Sequence, residues 1–263
     1  RPITHLVGKA IAQNNLEKAA LLFLAKPSPF EHPQSRAARQ KLTESRDFRE
    51  ALSDFPRGLL YERLMLLNLA NHPKDYVGAF RRLPKRLQGL FLQAFQSYLF
   101  NRFLSQRLRR RIPINEPQIG DYVVEVDSNR LPTNSYAIAD PGNLEALSKA
   151  VQKGSKYVAL PLIGFKQGHS EGVQGEVEHT ILESENVTQA NFFIPSAREM
   201  SARGELRAAI APIMNLKAGK PAKDDSNPQK KQLNISFTLN RGCYATVVLR
   251  EFMKSRNVIK AGF

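Results

Sequence analysis

Apolar residues fall into two textures along the chain: helical spacing dominates up to Leu108, and beyond Pro113 short runs of period two are mixed with helical ones. The sharpest change of period lies near the C-terminus. Leu233, Ile235, Phe237 and Leu239 alternate with Asn234, Ser236, Thr238 and Asn240, which predicts a strand with one apolar face turned inward. After a turn at Arg241-Gly242, residues Ala245, Val248, Leu249 and Phe252 follow the i, i+3, i+4, i+7 spacing of a helix that packs one face, with Arg250, Glu251 and Lys254 off that face.

In chain order, Arg1 to Ala25 reads as a helix or helical hairpin with Ile3, Leu6, Val7, Ala10 and Ile11 on one face, stopped by Pro27, Pro29 and Pro33. Ser35 to Phe55 is charged and helical, with Ala37, Leu42, Phe48, Ala51 and Leu52 as its core side, and Leu59 to Ala70 is a strongly apolar helix ending at Asn71-His72-Pro73. The helix from Leu87 to about Leu108 is apolar around most of its circumference, yet Gln93, Ser97, Asn101 and Ser105 recur every fourth residue as one uncharged ridge. Such a ridge either bonds a neighbouring strand or faces a groove. Further on, strands are expected at Tyr122 to Val126 and Tyr157 to Ile163, and helices at Asn143 to Gln152 and Ala197 to Ala211. Gly164, Gly168, Gly172 and Gly175 mark a loop, Glu176 to Leu182 is strand or helix, and Lys217 to Lys231 is a polar linker.

Composition makes this a globular chain: 263 residues, 42% hydrophobic and 24% charged, without a run approaching the ~18 apolar residues of a membrane span. One cysteine, Cys243, excludes an internal disulfide, fits a reducing cytoplasm, and reads as a small buried residue at a helix start. The net charge of +15 is uneven: residues 1–112 hold 21 Lys/Arg against 8 Asp/Glu, 113–232 hold 13 against 15, and 233–263 hold 5 against 1. A polyanion bound between the first and last parts would explain this, and a merely solubilising surface is the other reading. Arg81, Arg82, Lys85 and Arg86 concentrate four cations in six residues, and Arg107, Arg109, Arg110 and Arg111 exceed what capping the long helix requires.

Other chemistries find little support. Gly168-His169-Ser170-Glu171-Gly172 matches a hydrolase nucleophile elbow, but Phe165-Lys166-Gln167 separate it from the preceding strand and no histidine completes a triad. One cysteine and no His-Glu-x-x-His offer no metal set, and there is no glycine-rich phosphate loop.

Arg241-Gly242-Cys243-Tyr244-Ala245-Thr246 followed by Arg250-Glu251 resembles the closing motif of the TruD family of tRNA pseudouridine synthases. Further segments resemble family landmarks in the family's order: Arg1 to Gly8, Gln96-Ser97-Tyr98-Leu99-Phe100-Asn101, Gly120-Asp121, Leu160-Pro161-Leu162-Ile163-Gly164 and Arg203-Gly204-Glu205-Leu206-Arg207. The family's catalytic aspartate, in a Gly-x-Lys-Asp context, and its Phe-Gly loop have no counterpart here, since Lys74-Asp75 and Lys223-Asp224 lack the glycine. The chain therefore reads as the C-terminal part of a longer enzyme, with an N-terminal fragment of the same protein as a possible partner chain.

The resemblance implies an α+β fold: the mixed, mainly antiparallel sheet of pseudouridine synthases with helices, and a TruD-specific α/β insertion domain. Residues 1–26 and 233–263 would belong to the catalytic domain and 27–232 to the insertion. It implies isomerisation of a tRNA uridine, at position 13 in the D-arm, to pseudouridine: uracil is detached, turned and rejoined through carbon by an aspartate, without a cofactor. Asn101, Tyr244, Ala245, Thr246 and a paired Arg250 and Glu251 are expected at the active cleft, with Gln93, Ser97 and Ser105 structural. Arg207 and the two basic clusters are expected to contact RNA. A non-catalytic RNA-binding or RNA-chaperone protein on the same scaffold is the alternative.

Overall fold

The helical periodicity of the first part resolves into seven helices in the computed structural model, which describes residues 1–240, 243–258 and 261. They are α1 (Thr4–Ala12), α2 (Leu16–Ala25), α3 (Pro33–Ser45), α4 (Phe48–Asp54), α5 (Leu60–Asn71), α6 (Tyr76–Arg81) and α7 (Lys85–Arg109). Their boundaries follow local chemistry. Asn15, Asp47 and Asp75 each accept from a first-turn amide and so cap α2, α4 and α6, while Pro33 opens α3 without needing an amide donor.

The apolar face expected on α1 is the one buried, with Ile3, Val7, Ala10 and Ile11 in the core. It lies against α7 so closely that a Cβ on Gly8 would come 2.0 Å from the carbonyl oxygen of Phe91. On α3 the expected Ala37 is exposed and its neighbours Ala38 and Arg39 are buried, because the inward face runs through Ser35, Ala38, Arg39 and Leu42. The buried Arg39 is matched: Nη2 donates to Glu62 at 2.6 Å, Nε to Glu31 at 2.9 Å and Nη1 to the carbonyl of Leu24 at 2.7 Å. Arg1 joins the same carboxylates, and burial, with Arg39 beside it, lowers its guanidinium to about 10.

The second part is a four-stranded antiparallel sheet in the order β2-β1-β3-β4, formed by β1 (Tyr122–Val126), β2 (Pro132–Ile138), β3 (Lys156–Leu162) and β4 (Glu205–Ala208). One face carries Val123, which packs with Leu147 and Val151 of α8 (Leu144–Gln152). The other carries Tyr136, Tyr122, Val124, Tyr157, Ala159 and Leu206, in register across the four strands. The end of β3 enters the main core beside α7 and α9 (Gly172–Ser184), so helices and sheet share one cluster from Ile3 to Ala202.

Three expectations change here. Ala197 to Ala211 is not a helix: a 3-10 turn spans Pro195–Met200 and β4 follows. The backbone of Ala202 and Arg203 bonds sideways to Phe165, Lys166 and Gln167 and cannot continue a helical ladder. Gly172 and Gly175 lie inside α9, not in a loop. The polar stretch after Lys217 is not a bare linker: β5 (Ile213–Ala218) pairs antiparallel with β8 (Ile235–Leu239), and the stretch connects them, carrying β6 (Ala222–Lys223) and β7 (Lys231–Gln232).

The alternation predicted for the last strand is present in β8, half-buried at Ile235, Phe237 and Leu239 and exposed at Ser236 and Thr238. Its apolar face is nevertheless only partly covered, and no residue of β5, β8 or α10 (Ala245–Met253) is fully buried. Cys243 is likewise half-buried, and the turn residues Arg241 and Gly242 lie outside the described residues.

Two glycines separate the α1–α7 contact from helix propensity. Gly8→Ala is expected to cost about 1–3 kcal/mol, since Phe91 of α7 must give way. Gly89→Ala, in α7 with nothing nearer than 3.8 Å to the new methyl, is expected to add roughly 0.5–1 kcal/mol through helix propensity. Urea unfolding of the two variants measures both.

Candidate functional site

Between α7 and the sheet lies a groove of two connected lobes, about 1100 and 720 Å³. Asn101, Asn134, Gly204, Glu205, Arg207 and Tyr244 line both. The larger lobe is the more polar of the two, walled by Thr4 and His5 of α1, by Gln93 and Ser97 of α7 and by Arg203. The smaller is mostly apolar, walled by Tyr136, Tyr157 and Leu206 of the sheet, Leu104 of α7 and Val247 and Val248 of α10.

Backbone contacts build the rim where β3 ends and β4 begins. Gly204 has φ +83°, and a Cβ there would lie 2.6 Å from the Leu162 carbonyl oxygen; one on Gly164 would lie 2.2 Å from the Gly204 nitrogen. The two glycines thus let one turn lie directly on the other. Lys166 and Gln167 donate their amides to the Arg203 carbonyl, which completes the lock. Gln96 ties α7 to the same place through an Nε2 bond of 2.7 Å to the Ile163 carbonyl.

The groove's charge is one-sided. Arg130, Arg203 and Arg207 line it and make no ion pair or side-chain hydrogen bond among the described residues, and Glu205 is the lone carboxylate among the described lining residues. Arg207 is held over the ring of Phe100, 5.2 Å from its centroid, which orients the guanidinium without neutralising it. His5 stacks on Tyr98 at 5.0 Å, and burial, then Lys26, lowers its pKa, favouring the neutral ring. Tyr98 donates to Glu185 at 3.0 Å. Burial opposes the charge on Glu185, but Lys9, Tyr98 and Arg102 outweigh it and hold the carboxyl below its usual range. A cation-lined trough with amide and hydroxyl walls suits a polyanion that also presents flat, hydrogen-bonding groups.

The family model described as tRNA pseudouridine synthase D (TruD) matches residues 1–252. The chain belongs to the TruD family. Relatives named tRNA pseudouridine synthase D include one from Methanosarcina acetivorans, 38% identical over 97% of this chain, and one from Methanopyrus kandleri, 39% identical over 98%. A crystal structure titled as that family's protein from Methanosarcina mazei superposes with a TM-score of 0.91 at 36% identity, over 99% of this chain and 59% of its own. The chain spans 57% and 56% of the two curated relatives. The mixed helical and antiparallel fold agrees with that likeness.

The TruD segments divide by position. Those around Thr4 and His5, Gln96 to Asn101, Arg203 to Arg207 and Tyr244 meet at the groove. Leu160 to Gly164 supports its rim. Asn101 lines both lobes, and Gln93 and Ser97, expected to be structural, line the polar one with it; Ser105 does not. Of the closing motif, Tyr244 reaches the groove but Ala245, Thr246, Arg250 and Glu251 do not line it, because α10 turns Val247 and Val248 inward. Glu251 pairs with Lys254 at 2.5 Å, in place of the expected pair with Arg250.

Arg107 is not a surface cation. It is fully buried and bidentate to Asp121 at 2.7 Å for each bond, with Nε donating to the Pro113 carbonyl at 2.8 Å, so no face remains for a phosphate. Arg109, Arg110 and Arg111 are exposed. In the other cluster Arg81 is bound to Glu199 at 2.7 Å and Arg82 to Asn68 at 3.3 Å, whereas Lys85 and Arg86 are exposed and have no such partner among the described residues.

The nucleophile-elbow match dissolves as well. Ser170 is buried and its Oγ donates to Glu178 at 3.1 Å, with its amide on the same carboxylate at 2.6 Å. Among the described residues no cluster of three or more His, Cys, Asp or Glu is placed to hold a metal ion, and no helix is long and apolar enough to cross a membrane. A separate hollow of about 800 Å³ beside α2 contains none of the family segments.

Two stability measurements check the buried charges. Arg107→Ala leaves Asp121 buried and unpaired, with an expected cost of about 3–5 kcal/mol, whereas Arg110→Ala should stay within about 0.5 kcal/mol, both by chemical denaturation. Burial raises Glu178 to about 7, against the donors from Ser170 and Gln174. The folded state thus keeps a proton that the unfolded chain releases near 4.5. Stability is expected to fall as pH rises between those values, and Glu178→Gln should flatten that slope in thermal melts across the window.

Proposed function

We propose that this chain supplies the RNA groove of a tRNA pseudouridine synthase, holding a flipped uridine of the D-arm, at position 13, while it is isomerised. The observation that carries the reading is the convergence of four sequence-distant TruD segments on one groove whose three arginines have no carboxylate partner among the described residues. Taking a base out of its stack costs a few kcal/mol, so the protein must hold both the extruded base and the distorted backbone. Arg203 and Arg207 are placed for phosphates, and Asn101, Gln93 and Ser97 for the hydrogen-bonding edge of a uracil.

In this proposal the aspartate that attacks or detaches the base comes from a segment outside this chain, as an N-terminal portion of the same protein. Residues 1–26 and 233–263 belong with that portion and 27–232 form the insertion. The core shared by α1, α2 and α7 means that this division follows the chain and is no break in packing. The half-covered faces of β8 and α10 suit a unit completed by further polypeptide. Exposed cations at Lys85, Arg86, Arg109, Arg110 and Arg111, at the two ends of α7, extend the tRNA path, and the compartment is the cytoplasm.

The test is pseudouridine formation in unmodified tRNA by this chain joined to, or mixed with, the N-terminal portion, together with the salt dependence of tRNA binding. Arg207→Gln and Arg203→Gln are each expected to reduce the salt slope by about 1 and to weaken binding across tRNA sequences. Slopes unchanged in both variants would remove the groove from the RNA path. Binding without any isomerisation in the complete protein would leave a non-catalytic RNA-binding protein.

A further inference from the structure

The polar lobe and the apolar lobe have different chemistry, and one extruded uridine does not call for both. A uracil presents two carbonyls and an N–H, and burying these without partners costs more than its faces gain, so it belongs where Gln93, Ser97 and Asn101 converge. The smaller lobe offers surfaces of another kind. Tyr136 is 53% exposed, yet its ring is braced edge-on by Tyr122, with centroids 5.5 Å apart and planes at 80°. Tyr122 is itself buried and donates its hydroxyl to the His169 carbonyl at 3.2 Å. An exposed aromatic ring held this way presents a face whose ordering cost is already met. Val247 and Val248 and the side chain of Leu104 complete an apolar wall, while Arg130 and Arg207 stand at its border with no carboxylate partner among the described residues.

We propose that this lobe is a second base pocket, which takes by stacking the unstacked base of a nucleotide neighbouring the target uridine. The proposal rests on the RNA reading of the groove and adds a subsite to it. Charge selects the occupant: an apolar slot bordered by two guanidinium groups without an ion pair among the described residues, against the single carboxylate of Glu205, fits a flat ring tethered to phosphates better than an apolar peptide. The lobes meet at Asn101, Arg207 and Tyr244, so a backbone crossing Arg207 can deliver one base to each side. Stacking accepts any base, so the pocket contributes affinity and holds the strand open, leaving base choice to the polar lobe.

The test uses unmodified tRNA transcripts in which the nucleotides flanking each D-arm uridine are replaced one at a time by 2-aminopurine, bound to wild type, Tyr136→Ala, Tyr136→Phe and Val247→Trp. One flanking position is expected to change fluorescence with wild type and Tyr136→Phe, and to lose that change with Tyr136→Ala and with Val247→Trp, which fills the lobe from the opposite wall. Tyr136→Ala should bind about tenfold more weakly and Tyr136→Phe within about twofold of wild type. An abasic nucleotide at the responding position should weaken wild type by the same factor and Tyr136→Ala no further, which a general loss of structure would not reproduce. Additive effects of the protein and RNA changes, or a Tyr136→Ala protein with wild-type affinity and fluorescence, overturn the second pocket. If Arg203→Gln and Arg207→Gln still weaken binding in that case, the RNA groove survives without it; if wild type binds no transcript, both fall together.

Discussion

The bidentate bond between Arg107 and Asp121 joins the last turn of α7 to the start of β1, with both side chains fully excluded from solvent. Everything that forms the groove depends on the angle between that helix and that sheet. α7 runs 25 residues, about 37 Å, so the end that meets the sheet lies far from the α1 contact and has an anchor of its own. Two parallel charge-assisted bonds in a dry site define direction as well as distance, which a purely apolar contact does not. The pair is retained at a desolvation cost, so orientation is its clearest contribution.

A second constraint acts at the other side of the same wall. Gly164 and Gly204 let the turn after β3 and the turn before β4 touch, and Gln96 bonds the carbonyl of Ile163 between them. Helix, sheet and turn are thus fixed to one another at backbone distance, and Asn101, Arg203 and Arg207 project from this rigid seam into the groove. Rigid supports of this kind are what permit guanidinium groups to remain without carboxylate partners: their stems are placed by the fold, so no ion pair is needed to order them. The stacking of Arg207 on Phe100 is one such support.

Much of this organisation was legible in the chain. The long helix, the helical hairpin at the start, β1, β3, α8 and the final strand and helix follow from periodicity and caps, and the TruD segments identify the family without coordinates. What periodicity misread has local causes. β4 carries helix-forming residues, and pairing with β3 overrides them. α9 opens on two glycines that look like loop until their close packing is seen. The small β5 strand, Ile213–Ala218, is not anticipated by the sequence pattern, because its partner lies beyond the connection it begins.

The site divides the same way. Asn101, Arg207 and Tyr244 were identified from their segments and do meet at the groove, while Asn134, Tyr136 and Arg130 came from a strand and turn without a strong pattern. Arg107 and Arg109 are two residues apart in sequence and opposite in fate, one sealed on Asp121 and the other in solvent. Sequence by itself determined most of the element types, the family and the excess of positive charge, since these depend largely on neighbours a few residues away and on composition. Only the tertiary structure decided which cations are neutralised and which remain free, and which polar ridge faces a groove, because those outcomes depend on partners tens of residues distant.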